Sequence, residues 1–168
     1  MSVLGEVKKL FHNEYKRALK NGLTVGKDVS IVGDVDFGSE PYLISLGDRV
    51  RVSFGVTFIT HDGGTWAFRD LPEYKDVIKY GKIKVGSNTF IGARSIIMPG
   101  VTIGERCVIG CGSIVTKDIP DNSVVCGVPA GYIMSTSEYA EKCKNNMKPY
   151  DHEKYRNNKK DYLLEYLD

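Results

Sequence analysis

No apolar run in this chain of 168 residues exceeds a few residues, far short of the roughly 20 that a membrane-spanning helix needs. The first stretch, MSVLGEVKKLFHNEYKRALK, is broken by charges throughout and has no signal-peptide core. Its location is therefore expected to be cytoplasmic. Charge of one sign is missing as well. With 23 Lys and Arg against 21 Asp and Glu the net charge is +2, too little to argue for nucleic acid or an anionic membrane as partner. The four cysteines (Cys107, Cys111, Cys126, Cys143) contain no CxxC pair and no histidine at ligand spacing. A zinc site is not expected, and free thiols are. A content of 42% hydrophobic and 26% charged residues belongs to an ordinary globular chain with one main core.

What the sequence has in plenty is glycine, 18 residues, and the glycines are periodic. Val85, Ile91, Ile97, Ile103, Ile109 and Val115 follow one another at intervals of six. Gly86, Gly92, Gly104 and Gly110 come directly after four of them, and Thr89, Ser95, Val101, Cys107 and Ser113 stand four positions on. The same rhythm runs upstream through Val25, Ile31, Phe37 and then Leu46, Val52, Phe58, with a three-residue slip around Pro41–Ser45. A helix would show spacings of three and four, and a half-buried strand a spacing of two. A period of six fits a parallel β-helix of three short strands per coil, each coil taking roughly 18 residues and rising about 4.8 Å. The aliphatic and the small residue point into a narrow prism, and glycine relieves crowding at the corners. No Asn-Gly or Asp-Gly hairpin turn separates the six repeats, which argues against an ordinary sandwich.

The flanks differ. Val3, Val7, Leu10, Phe11 and Leu19 trace a helical stripe, so residues 1–22 are expected to cap the first coil with an amphipathic helix over 3–20. Residues 23–134 form the β-helix, with an excursion over 62–82. Residues 135–168 form a helical tail: Ser135 with Glu138 offers a capping box for a helix over 136–146, and 151–167 reads as a second, charged helix.

The run IKVGSNTFIGARSIIMPGVTIGERCVIGCGSIVTKDIPDNSVVCGVPAGYI, 83–133, resembles the hexapeptide-repeat acyltransferases, whose fold is a left-handed β-helix. GSIVTKDIP and the closing GVPA are similar to the galactoside, maltose and xenobiotic acetyltransferase branch. FGSEPYLISLGDRVRVSFGVTFITHDGGTW is similar to the polysaccharide O-acetyltransferases within it. The resemblance covers about residues 23–134. It implies a homotrimer, with acetyl-CoA lying in the groove between adjacent β-helices and acetyl passing to a hydroxyl without a metal.

His12 and His152 fall in the expected terminal helices, whereas His61 opens the excursion after Phe58. An excursion that long inside a compact repeat is usually functional. Imidazole titrates near neutral pH and suits removal of a hydroxyl proton. His61 aligns with the family's catalytic histidine and is expected to be the base. Asp62 in an extended chain would point away from it. Glu40 is the preferred orienting or acceptor contact, with Asp34 and Asp36 as further candidates. By the resemblance, Gly92 and Ala93 line the cofactor groove, where an oxyanion needs a backbone N–H, and Cys111, Thr116 and Lys117 contact acetyl-CoA. Ser113 points inward. Phe90 stands where the galactoside enzymes carry an acceptor-stacking tryptophan, and Trp66 can supply another stacking face. The galactoside enzymes have arginines where this chain has Gly131 and Met134. Lys142, Lys144 or Lys148 can take over their charge.

The expected activity is acetyl transfer to a sugar hydroxyl, on a capsular polysaccharide or lipopolysaccharide precursor or a related saccharide. An antibiotic-inactivating acetyltransferase shares the argument. A serine acetyltransferase fits less well, since about 22 residues cannot hold the large helical N-terminal domain usual there. A β-helical carbonic anhydrase needs three imidazoles on zinc, and a non-catalytic scaffold would bind no coenzyme.

Overall fold

A computed structural model describes residues 14–148 and 150–167. The six-residue period folds into a left-handed parallel β-helix with three faces. The first face stacks β1 (Thr24–Val25), β4 (Ile44–Leu46), β7 (Ile83–Val85) and β10 (Thr102–Ile103). The second stacks β2 (Ser30–Ile31), β5 (Arg51–Val52), β8 (Phe90–Ile91), β11 (Val108–Ile109) and β13 (Ser123–Cys126). The third stacks β3 (Val35–Asp36), β6 (Val56–Phe58), β9 (Ile96–Ile97) and β12 (Ile114–Val115). Neighbours pair in parallel, and Lys84 lies opposite Thr102, 18 residues on. The last strand, β14 (Gly131–Ser135), turns back antiparallel on β13.

The aliphatic of each repeat points inward. Phe58, Ile91, Ile97, Ile103, Ile109 and Val115 are fully buried, as are Thr89, Ser95 and Ser113 four positions on. Those hydroxyls are tied to the backbone: Thr89 Oγ1 donates to the Gly104 carbonyl at 3.0 Å and Ser95 Oγ to that of Gly110 at 3.1 Å. The glycine after each aliphatic answers a steric limit. A Cβ on Gly86 would sit 2.5 Å from the Gly104 carbonyl carbon, and one on Gly92 would sit 2.6 Å from the Cys111 nitrogen.

Two irregularities interrupt the stack. The three-residue slip is a 3₁₀ turn, Pro41–Leu43, which stretches the first coil so that Thr24 pairs with Ser45, 21 residues on. The excursion leaves after β6 and folds into two short 3₁₀ turns, Gly63–Phe68 and Pro72–Tyr74, before β7 resumes the rung on Ile83.

Residues 14–20 are helical (α1); the rest of the expected N-terminal helix, with Val3, Val7, Leu10, Phe11 and His12, lies outside the described residues. Its inward face differs from the expected stripe. Ala18 is buried and Tyr15 packs on Phe37 with ring centroids 6.2 Å apart, while Leu19 is exposed.

Residues up to 136 form one compact unit and 137–168 another. A helix, α2, runs over Thr136–Asn145. The single helix expected over 151–167 is two, α3 (His152–Asn157) and α4 (Lys159–Leu167). The break falls on Asn158, which leaves helical geometry at φ −147° and ψ 70° and turns its amide onto Asp161. An asparagine side chain that bonds locally competes with the helical backbone. Asp151 caps α3 by accepting from the Glu153 and Lys154 N–H groups. Among the described residues no helix is long and apolar enough to cross a membrane.

Overpacking a corner costs on the order of 1–3 kcal/mol. Gly86→Ala is therefore expected to lower the melting temperature by several degrees, whereas Gly131→Ala, with open space at its Cβ position, leaves it unchanged in the same thermal scan.

Candidate active site

Phe58 is the last buried rung before the excursion, and the next residues form its neck. The Gly81 N–H donates to the Thr60 carbonyl and the Asp62 N–H to the Lys79 carbonyl, each at 2.9 Å. His61 and Tyr80 form an antiparallel bridge between these two bonds. Gly81 has to be glycine, since a Cβ there would run into the backbone of Pro99 and Gly100. The neck holds the His61 backbone rigidly while its side chain stays 45% exposed.

Glu40 comes from the other irregularity. It is the residue before the Pro41–Leu43 turn, on the edge of the prism where the third face passes to the first. Its Oε2 lies 3.0 Å from His61 Nδ1, and its side chain is only 13% exposed. The Thr60 hydroxyl donates to the same Oε2 at 2.6 Å. That bond does most to hold the Glu40 carboxyl below the usual carboxylate range; the Ser39 and His61 contacts add to it and partial burial opposes it. A carboxylate can only accept. The pair therefore favours the hydrogen on Nδ1 and leaves Nε2 as a free lone pair, the arrangement of an oriented general base.

Asp62 serves the loop instead. It accepts from the Gly64 N–H and pairs with Lys79 at 2.8 Å, and the Lys79 ammonium holds its carboxyl low. Asp36 is likewise taken, by the Gly38 N–H at 2.8 Å. Trp66, in the first turn of the excursion, is 82% exposed. It lines a cleft of about 270 Å³ together with His61, Asp62, Arg69, Lys79 and Tyr80. The Tyr80 ring lies 5.6 Å from that of His61. A wider depression of about 510 Å³ in the helical unit is bounded by Asp151, Glu153, Asp161 and Glu165 and has no histidine in its lining.

The remaining candidates divide between edges. Thr116 and Lys117 follow β12 and share the edge of His61, because β6, β9 and β12 stack. Gly92 and Ala93 follow β8, and Cys111 follows β11, on the edge between the second and third faces. There the Gly112 N–H donates to the Ala93 carbonyl at 2.8 Å. The Gly92 N–H is committed to the Ile109 carbonyl at 2.9 Å, so of the two it is Ala93 that can offer its N–H to a ligand. Phe90 points outward, partly exposed, from the second face. One copy of the chain thus holds His61 and Ala93 on different edges of its prism.

The site and the coils that carry it have clear relatives. Residues 82–117 match the family model described as hexapeptide repeat of succinyl-transferase. Protein CapG of Staphylococcus aureus is 46% identical over 167 residues, covering 94% of this chain and 95% of the relative. The chain belongs to the hexapeptide-repeat acyltransferase family. The galactoside O-acetyltransferase of Escherichia coli is 38% identical over 104 residues, which is 59% of this chain and 47% of that enzyme. Among solved structures, a maltose O-acetyltransferase from Clostridium difficile superposes with a TM-score of 0.57 at 28% identity, over 78% of this chain and 83% of that one. This chain is accordingly an acetyltransferase of that family.

Thr60 and Tyr80 are the site residues that the repeat pattern did not mark. Thr60 could have been found as a polar residue two places after an inward aromatic. Tyr80 carries no periodic signal and comes to the site only through the neck.

A depressed carboxyl favours the folded state above its unfolded pKa, and that contribution is lost as pH falls through the lower folded value. The melting-temperature advantage of the native protein over Glu40→Gln is expected to be full above the ordinary glutamate value of about 4.3. It should vanish on further acidification, as followed by thermal melts across pH.

Proposed function

We propose that the protein transfers acetyl from acetyl-CoA to a sugar hydroxyl, with His61 as general base. The acceptor is a capsular polysaccharide or lipopolysaccharide precursor or a related saccharide. The observation that carries this reading is the 3.0 Å contact of His61 Nδ1 with the Glu40 carboxylate, which presents Nε2 to the cleft of Trp66 and Tyr80. The coenzyme supplies an activated thioester, and the chain supplies the base, the oxyanion donor and the walls.

Nε2 accepts the hydroxyl proton as the sugar oxygen bonds to the thioester carbon. The oxyanion formed there accepts from the Ala93 N–H, a backbone donor of the kind that acyl transfer employs. When the carbonyl re-forms, the carbon–sulfur bond breaks, and the imidazolium returns its proton to the departing thiolate. Glu40 offsets the imidazolium charge during the interval between the two transfers.

The family resemblance implies a closed homotrimer, and the placement of His61 and Ala93 on different edges supports a site formed by two copies, His61 from one and Ala93 from its neighbour. Cys111, Thr116 and Lys117 border the coenzyme, with the Lys117 ammonium as a mobile cation for phosphate. Trp66, Phe90 and Tyr80 offer flat apolar faces to the sugar ring, and Asp36 contributes at most through its turn.

Release of free thiol from acetyl-CoA, assayed against galactosides, maltose and nucleotide sugars, tests the reading. At least one sugar should give acceptor-dependent turnover, and silence across the panel would remove the reading. His61→Ala is expected to lower that turnover by about 10²–10⁴-fold, the usual size of general-base catalysis, with KM for acetyl-CoA little changed.

A further inference from the structure

Six polar side chains are buried among the described residues: Thr60, Thr65, Thr89, Ser95, Ser113 and Ser123. Five of them donate to backbone carbonyls, as hydroxyls in a crowded prism normally do. Thr60 alone among these donates to a charged side chain. It is 1% exposed and adjoins His61 in sequence, and its carbonyl anchors one side of the excursion neck. Gly38 lies beside it in left-handed geometry at φ 63°, its Cβ position 3.7 Å from Thr60 Oγ1.

We propose that Thr60 is a positioning residue of the active site, whose buried hydroxyl fixes Glu40 as an acceptor and thereby aims the free nitrogen of His61 into the cleft. Oε2 of Glu40 accepts from Oγ1 of Thr60 at 2.6 Å and lies 3.0 Å from Nδ1 of His61, and an ionised carboxyl can only accept from both. An oxygen so placed has no position for a hydrogen of its own. Glu40 then has nothing to donate, and the imidazole is held with its hydrogen on Nδ1. Thr60 is also the strongest of the influences that keep this carboxyl ionised. Remove the hydroxyl and Oε2 loses the bond that holds it against Nδ1; a carboxylate free to turn towards solvent no longer fixes the ring's hydrogen, and the lone pair is shared between the two nitrogens instead of facing only the cleft.

The proposal deepens the assignment of His61 as base, but its test needs no sugar. Diethyl pyrocarbonate acylates an unprotonated imidazole nitrogen, and peptide mass spectrometry reads each of His12, His61 and His152 separately. Thr60→Val should slow modification of His61 by roughly tenfold, the size expected for loss of one hydrogen bond to a charged group. His12 and His152 are internal controls, and Thr60→Ser should restore the native rate. Nitrogen-15 NMR of the labelled protein should show His61 in the Nδ1–H form for the native chain and Thr60→Ser, and a mixture of tautomers for Thr60→Val. In a Glu40→Gln background, Thr60→Val should have no further effect on the modification rate. Native reactivity and a native nitrogen spectrum in Thr60→Val would overturn the proposal. Should the valine variant fail to fold, Thr60→Ala puts the same question, and native behaviour there overturns it equally. A chain that acetylates no sugar yet shows the tautomer change loses only the transferase reading.

Discussion

Every coil of this protein lies directly on the next at the hydrogen-bonding distance of a β-sheet, even at its corners. The Gly86 N–H meets the Ile103 carbonyl at 2.7 Å and the Gly92 N–H meets that of Ile109 at 2.9 Å. Most of the sequence pattern follows from that one constraint. At Gly26, Gly47, Gly86, Gly92, Gly104 and Gly110 corners stacked so closely leave no room for a Cβ after the aliphatic. The sharp turn that follows requires left-handed backbone three positions on, filled by Asp28, Arg49, Asn88, Arg94 and Arg106 or by Gly55, Gly100 and Gly112. The interior is narrow, and Thr89, Ser95, Val101, Cys107 and Ser113 fill the second inward position of the later repeats, while Ile44 and Ile83 fill it on the first face. Hydroxyls there are tolerated because each finds a carbonyl, on the next coil for Thr89 and Ser95 and at Gly110 of its own coil for Ser113.

The candidate site arises where this regularity fails. Two insertions of different length, three residues in the first coil and the long excursion after the second, leave the prism at the same edge. One carries Glu40 and the other His61, and the edge brings the two within hydrogen-bonding distance. A perfect repeat would have continued the ladder through both of these places, without the turn that carries Glu40 or the neck that carries His61. The base and its partner are therefore held by rigid coils above and below, while the excursion reaches outward from a two-bond neck.

Much of this was legible in the sequence, and the reason is physical. A period of six has few structural meanings, and inward residues such as Ile97 and Ser95 followed it without exception. His61 stood out because it sat at the break. The partnership of Glu40 was harder to read, because it depends on where a three-residue slip places a carboxylate across 21 residues of chain. Thr60 is marked only by its place two residues after an inward aromatic, which does not disclose its acceptor, and Tyr80 has no pattern at all, being a loop residue brought in by an antiparallel bridge. The tail was read as helical but not its break, since Asn158 is as compatible with a helix on pattern alone as with the turn it makes. Leu19 was placed inward by its spacing, yet Tyr15 and Ala18 fill that face instead.

The excursion enters and leaves the prism through Thr60, Asp62, Lys79 and Gly81, whose two backbone bonds close the neck. The histidine is aimed by residues on the prism side of that neck. The segment bearing Trp66 and Arg69 walls the cleft but takes no part in the two bonds at Oε2 of Glu40, so the wall of the cleft and the aim of the ring are carried by separate stretches of chain.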